Sequence, residues 1–151
     1  LNIPLRGDGS PGEMELQVVE EIGQWMRQNG ESIYGTRPWK IFGEGPALES
    51  VAALSAQGFN EGKGKPFTSE DIRFASKGGT LFATVMGWPP TGIVRIATLA
   101  FSSPHYPQAI HKVELVGTTQ PLKFDRTVDG LLVYFPENSL PLPYAVPLKI
   151  T

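Results

Sequence analysis

Residues 72–87 read Ile72-Arg73-Phe74-Ala75-Ser76-Lys77-Gly78-Gly79-Thr80-Leu81-Phe82-Ala83-Thr84-Val85-Met86-Gly87, and this stretch decides the fold. Two runs of β-forming residues, 72–76 and 80–87, flank Lys77-Gly78-Gly79. A glycine pair between two such runs is a hairpin signal. Further short runs follow at 93–99, 112–116, 122–125, 131–135 and 145–150, with a second hairpin turn at Val128-Asp129-Gly130. Alternation at Val113/Leu115, Leu122/Phe124, Leu132/Tyr134 and Val146/Leu148/Ile150 turns one face of each run inward and one outward. About seven short strands at this spacing predict an antiparallel β-sandwich rather than a barrel.

The composition agrees with that reading. There are 17 glycines and 14 prolines, roughly a fifth of the chain against a usual combined share of about 12 per cent. Ten of the prolines lie at or beyond Pro66, and proline breaks helix interiors while punctuating strands and turns. The 151 residues are enough for one core, and 40% hydrophobic with 19% charged residues describes a globular chain. Net charge is −2 and the cations are spread out, so neither a nucleic-acid nor an anionic-membrane partner is expected. With no cysteine there is neither a disulfide nor a thiolate metal site. No apolar run approaches the roughly 20 residues that span a bilayer. The first residue, Leu1, is not Met, and no signal-peptide pattern follows it. So abrupt a start leads us to expect a processed, truncated or fragmentary product.

Upstream of the strands the pattern is helical. Residues 1–5 are a short apolar stub and Arg6-Gly7-Asp8-Gly9 is a turn. Ser10-Pro11-Gly12-Glu13 then predicts a helix start, with Ser10 at N-cap, Pro11 at N1 and Glu13 completing a capping box. Leu16, Val19, Ile22, Gly23 and Met26 recur at three- and four-residue spacing, with Trp25 at the edge of the stripe. Gly30 suits the C′ position that ends a helix. Residues 31–70 show little periodicity; 51–56 suit a brief helix or strand and 58–65 a loop. A stub followed by one amphipathic helix is what the last βα unit of a larger α/β domain looks like. Its apolar stripe requires cover, from the sandwich, from another domain or from a second copy through 13–29.

Candidate site residues are few, and each has a structural alternative. Asp8 lies in a loop after a barrel-like strand, where active-site groups gather, yet turn chemistry explains it as well. Asn2 and Arg6 read as scaffolding. Glu70 and Asp71 are adjacent on a strand and point to opposite faces, so they form no facing pair, and a solvated strand start is expected. Glu13 and Glu15 complement the helix dipole, while Glu20 and Glu21 are expected in solvent. His105 and His111 are too few for a metal site. Ser102 and Ser103 lack a nucleophile elbow. Gly43-Glu44-Gly45 lacks the lysine and helix of a phosphate loop. Trp39, Trp88 and Tyr106 are candidates either for sugar stacking or for core and interface, with Tyr106 the exposed aromatic of a carbohydrate-binding alternative.

Taken together, these residues resemble the C-terminal part of family 29 glycoside hydrolases, the retaining α-L-fucosidases. The stretch 1–9 is similar to the end of their barrel's final strand and the loop after it. WMRQNGESIYGTRPW, from Trp25 to Trp39, is similar to the last barrel helix and exit loop. Phe42-Gly43-Glu44-Gly45-Pro46, the stretch 67–74 and the stretch 80–89 resemble the passage into the β-sandwich. The likeness is specific over 1–46 and 67–89 and generic beyond about residue 90; 47–65 carries no family pattern.

The resemblance implies a mainly β chain of about seven or eight strands, preceded by a strand stub and helix left from a (β/α)₈-type barrel. It divides the chain into a barrel remnant at 1–40, a linker at 41–66 and a β-sandwich domain at 67–151. The parent enzymes attack a fucoside with an aspartate nucleophile and a separate acid/base, two carboxyl groups about 5–5.5 Å apart in such retaining enzymes. Both sit on barrel loops with no counterpart here, as do the histidines and aromatics that grip fucose. No catalytic, cofactor-binding or metal residue is therefore carried over, and no cofactor is implied. The implied partner is the catalytic barrel; a glycan, bound weakly, is the alternative. Such enzymes are often secreted, periplasmic or lysosomal, and the sequence does not choose among these.

Overall fold

Gly78 and Gly79 adopt φ of 55° and 86°, the left-handed pair that a two-residue hairpin turn requires and that only glycine takes without strain. They pair Lys77 with Thr80 and fix the register of everything around them. The computed structural model describes residues 2–49, 65–118, 120–137 and 144–151. The element expected at 51–56 and nearly all of the loop at 58–65 lie outside the described residues.

Helix α1 spans Glu13–Asn29 and runs into a 3₁₀ turn at Gly30–Ser32. Strand β1 is Arg37–Glu44, followed by one short turn of helix, α2, at Pro46–Glu49. Then come β2 (Ile72–Lys77), β3 (Thr80–Val85), β4 (Ile93–Ile96), β5 (Val113–Leu115), β6 (Lys123–Arg126), β7 (Leu131–Tyr134) and β8 (Val146–Ile150). They form a five-stranded sheet in the order β1-β2-β3-β8-β5 and a three-stranded sheet in the order β4-β7-β6. Every pairing is antiparallel. The mainly β sandwich expected from the sequence is therefore the fold, and each expected strand is found. The 93–99 run becomes strand only to Ile96 before a 3₁₀ turn at Ala97–Leu99.

The two sheets share one core. Ile72, Leu81, Ala83, Val85, Leu148 and Ile150 from the large sheet meet Val94, Ile96, Leu131 and Val133 from the small one. Burying each such side chain contributes about 1.5–3 kcal/mol for the larger ones. Phe82 is different. It is only 1% exposed but alternates onto the other face of β3, opposite Ala75 and Lys149. The large sheet is thus covered on its outer face too.

Strand β1 runs across residue 40, where the sequence shows no alternation. Its pairing with β2 breaks between Pro38 and Gly43. Proline cannot donate to the ladder and is confined to edges and bulges, which hides this edge strand from a period-of-two search. Trp39, in the irregular stretch, packs on Phe74 with ring centroids 5.1 Å apart.

Both ends of α1 differ from expectation. Its N-cap is Gly12, with no side-chain cap; Ser10 stays in the preceding turn, where its N–H and its hydroxyl both donate to Asp8 Oδ1, at 2.9 and 2.7 Å. Pro11 stands before the helix, bridged to Leu5. At the other end Gly30 keeps right-handed helical angles, φ −58°. It begins the 3₁₀ turn rather than stopping the chain in the left-handed region.

Candidate functional site

Among the described residues, the amphipathic helix is fastened to the sandwich through its C-terminal half. Trp25 Nε1 donates to the Ala145 carbonyl at 2.8 Å, just before β8. Gly117 lies so close to the helix that a Cβ there would come within 2.7 Å of the Gln28 carbonyl oxygen. Asn29 and Ser32 are buried and hydrogen-bond within the turn, to Trp25 O and Asn29 O. Glu31 pairs with Lys149, the outward residue of β8, at 2.6 Å, and Lys77 Nζ donates to Tyr34 O at 2.9 Å. The turn after α1 therefore lies over the outer face of the large sheet, the face that carries Phe82.

Among the described residues, nothing covers the N-terminal part of the same helix in this way. Leu16, Val19 and Ile22 are 47%, 41% and 40% exposed. Beside them Val18, Ile22 and Trp25 line a hollow of about 370 Å³ with Tyr144 and Ala145, closed on one side by Glu21. The Tyr144 hydroxyl donates to the Glu21 carboxylate. That bond, helped by a second from Gln17, lowers the Glu21 pKa, and it raises that of Tyr144. An apolar surface bordered by satisfied polar groups has the chemistry of a surface that packs against another.

The described carboxylates that make contacts serve structure. Asp8 accepts from the Ser10 hydroxyl and N–H, which lower its pKa, so it is a turn aspartate. Glu44 caps the 3₁₀ turn by accepting from the N–H groups of Ala97 and Thr98, both at 2.7 Å. Asp71 overturns an expectation. In place of a solvated strand start it is 0% exposed, accepting from Ala47 N–H, Thr68 N–H and the Thr68 hydroxyl. Burial alone would raise its pKa; those three bonds and the nearby Arg73 charge outweigh it and lower the value below 3.8. Gly45, at φ 118°, passes so near Asp71 that a Cβ there would sit 2.6 Å from its Cα.

Tyr106 is a second correction. It is 3% exposed, packed in the core beneath Trp39 at 6.4 Å, and offers no platform to a sugar. The prolines on either side turn its ring inward, where Arg126 holds the loop. The Arg126 guanidinium donates to the carbonyls of Leu99, Ala100, Tyr106 and Gln108 and lies between the rings of Phe101 and Tyr106. Nothing local marks this role, since its partners are up to 27 residues away. Trp88 is half-buried, edge-on to Phe135 at 5.1 Å. His105 is held through its backbone by Lys40 and Ser103, and the His111 N–H donates to Thr151. Among the described residues no three His, Asp or Glu side chains converge as metal ligands would. Nor is any helix among them long and apolar enough to cross a membrane.

Comparison with known proteins agrees with this picture. The tissue alpha-L-fucosidase of Mus musculus is 26% identical over 155 residues, and that of Homo sapiens is 24% identical. Each match takes in all of this chain but only 28% and 27% of the relative's length. Among solved structures, the Thermotoga maritima alpha-fucosidase in complex with fucose superposes with a TM-score of 0.67 at 20% identity, over 100% of this chain and 30% of that one. Alpha-L-fucosidase isoenzyme 1 from Paenibacillus thiaminolyticus gives 0.63 at 22% identity, again over all of this chain and 30% of the other. A family profile described as alpha-L-fucosidase C-terminal domain matches residues 65–151. The two sheets, the open helix and this match lead to one conclusion: the chain belongs to the α-L-fucosidase C-terminal domain family.

Proposed function

We propose that the chain is the non-catalytic C-terminal region of a retaining α-L-fucosidase, bracing the catalytic barrel that carries the reaction. The carrying observation is the half-docked helix. Its C-terminal end is hydrogen-bonded to the sandwich, while Leu16, Val19 and Ile22 present an apolar surface toward a partner. In this reading residues 1–40 are the last βα unit of that barrel, 41–66 the link and 67–151 the supporting sandwich. Strand β1, crossing residue 40, ties the first segment to the third through the large sheet. The carboxylates support the same reading. Asp8, Glu21, Glu31, Glu44 and Asp71 each hold a turn, a cap or a neighbouring element, whereas glycoside hydrolysis needs a free facing pair.

The test is turnover of an aryl α-L-fucoside by the pure 151-residue chain. None is expected, and measurable hydrolysis that follows the chain through purification overturns the reading. In the isolated chain the bare stripe is also expected to drive self-association through residues 13–29, visible in sedimentation. A monodisperse monomer at high concentration would count against an interface there.

A further inference from the structure

The register of the small sheet builds a second surface far from the helix. On β7, Leu131 and Val133 are buried in the core, so Leu132 and Tyr134 face outward. On β4, Val94 and Ile96 are buried, leaving Ile93 and Arg95 outside. Lys123 and Asp125 are the exposed residues of β6. Pairing aligns Ile93, Tyr134 and Lys123 in one row and Arg95, Leu132 and Asp125 in the next. The Tyr134 hydroxyl donates to Asp125 Oδ2 at 2.9 Å, which fixes the outer end of its ring. A hollow of about 540 Å³ opens beside Tyr134, Asp125 and Lys123. A cleft of about 570 Å³ lies along β4, where Ile93 and Arg95 meet Thr91, Ser69 and Glu70. Ile93 and Arg95 belong to both the sheet face and the cleft.

We propose that this face binds a neutral oligosaccharide, with one sugar ring over Tyr134 and the chain continuing across β4 into the cleft. A pyranose has an apolar C–H face and a rim of hydroxyls, each of which donates and accepts. It requires an apolar plate edged by groups of both kinds. Tyr134, Ile93 and Leu132 make the plate. Lys123, with no partner among the described residues, and Arg95, which spends one N–H on the Asp129 carbonyl, supply donors. Asp125 and Glu70 supply acceptors. Arg95 and Lys123 stand against Asp125, Glu70 and Glu44, the last already engaged by the Ala97 and Thr98 N–H groups, so the surface carries no concentrated positive charge; a sulfated glycan or a nucleic acid would call for it. The face is also on the opposite side of the sandwich from the α1 seam, so binding here does not compete with a partner there. The inference stands apart from the bracing role, and either can fail alone.

The experiment is an amide NMR titration of the 151-residue chain with lactose, 2′-fucosyllactose and maltotriose. Shifts confined to 93–95, 123–125 and 132–134, saturating in the millimolar range with at least one of these sugars, are expected. Tyr134→Ala should weaken that binding at least about tenfold, Lys123→Ala several-fold, and Tyr134→Phe little, since the ring remains. If Tyr134→Ala loses its dispersed spectrum, Lys123→Ala carries the test. No shift with any of the three sugars, shifts mapping elsewhere, or unchanged affinity in the folded variants would overturn the proposal. So would binding limited to a sulfated glycan and lost on adding salt.

Discussion

The outer faces of the two sheets have opposite fates. That of the large sheet carries a phenylalanine, Phe82, sealed from water, with the turn after α1 tied over it through Glu31 and Lys149. That of the small sheet carries Tyr134 among Arg95, Lys123 and Asp125, with its hydroxyl satisfied by a neighbouring strand. Both are outward faces of antiparallel strands, and period-of-two alternation describes them equally well. Chain connectivity separates them. The segment that precedes the sandwich returns to the large sheet as its edge strand β1, so α1 and its turn lie on that side. One face became interior to a larger assembly of elements, and the other stayed surface.

The sharpest way to break that comparison is to empty each face in turn. Phe82→Ala should cost about 3–4 kcal/mol, as large core truncations do, whereas Tyr134→Ala should stay within about 1 kcal/mol. Urea unfolding of both variants measures this, and equal costs would mean that the large sheet's outer face is not sealed. Next come two aspartates, one near each sheet. Asp71→Ala strands three donors and should cost about 2–3 kcal/mol, while Asp125→Ala, on the exposed strand β6, should cost less than about 1 kcal/mol.

Because the folded-state pKa of Asp71 is lowered, its contribution is complete above the ordinary carboxylate value and is lost as pH falls through the depressed one. The urea midpoint of the wild type should therefore drop on acidification below about pH 4, and that of Asp71→Ala should drop less. Trp25→Phe, which removes the bond to Ala145 and part of the indole's packing at the helix seam, should cost about 1–2 kcal/mol. Leu16→Ser combined with Val19→Ser should change stability by less than about 0.5 kcal/mol while weakening self-association in sedimentation. A large loss of stability there would show that the open end of the helix is packed after all.

What the sequence showed and what it hid follow the reach of the interactions. The hairpins at Gly78-Gly79 and at Val128-Asp129-Gly130 were legible because their turn chemistry is local, and β2, β3, β6 and β7 followed from them. The strand β1 was not, since Pro38 and the irregular pairing up to Gly43 erase its alternation. The capping box failed for a local reason as well: Asp8 accepts from both the Ser10 N–H and its hydroxyl, which holds Ser10 in the preceding turn and leaves Gly12 at the N-cap. The burial of Asp71 and the role of Arg126 were not legible. Thr68, three residues before Asp71, supplies two of its bonds, but Ala47 lies 24 residues away and the partners of Arg126 up to 27, and an aspartate bound for burial looks the same in sequence as one bound for water. The outward ring of the small sheet was hidden too, because Tyr106, isolated between prolines, looks more exposed in sequence than Tyr134 inside a regular strand.

Arg126 has one consequence for how the family can vary. The stretch between Leu99 and Gln108 takes its shape from four carbonyls bound by a guanidinium on another strand. Carbonyls are common to every residue type, so the side chains of Ser102 and His105 contribute little to where this loop sits, and that of Ser103 only one bond, from the His105 N–H. Evolution is then free to rewrite them, provided Arg126 remains. The loop is a place where new surface chemistry can be tried without refolding the domain.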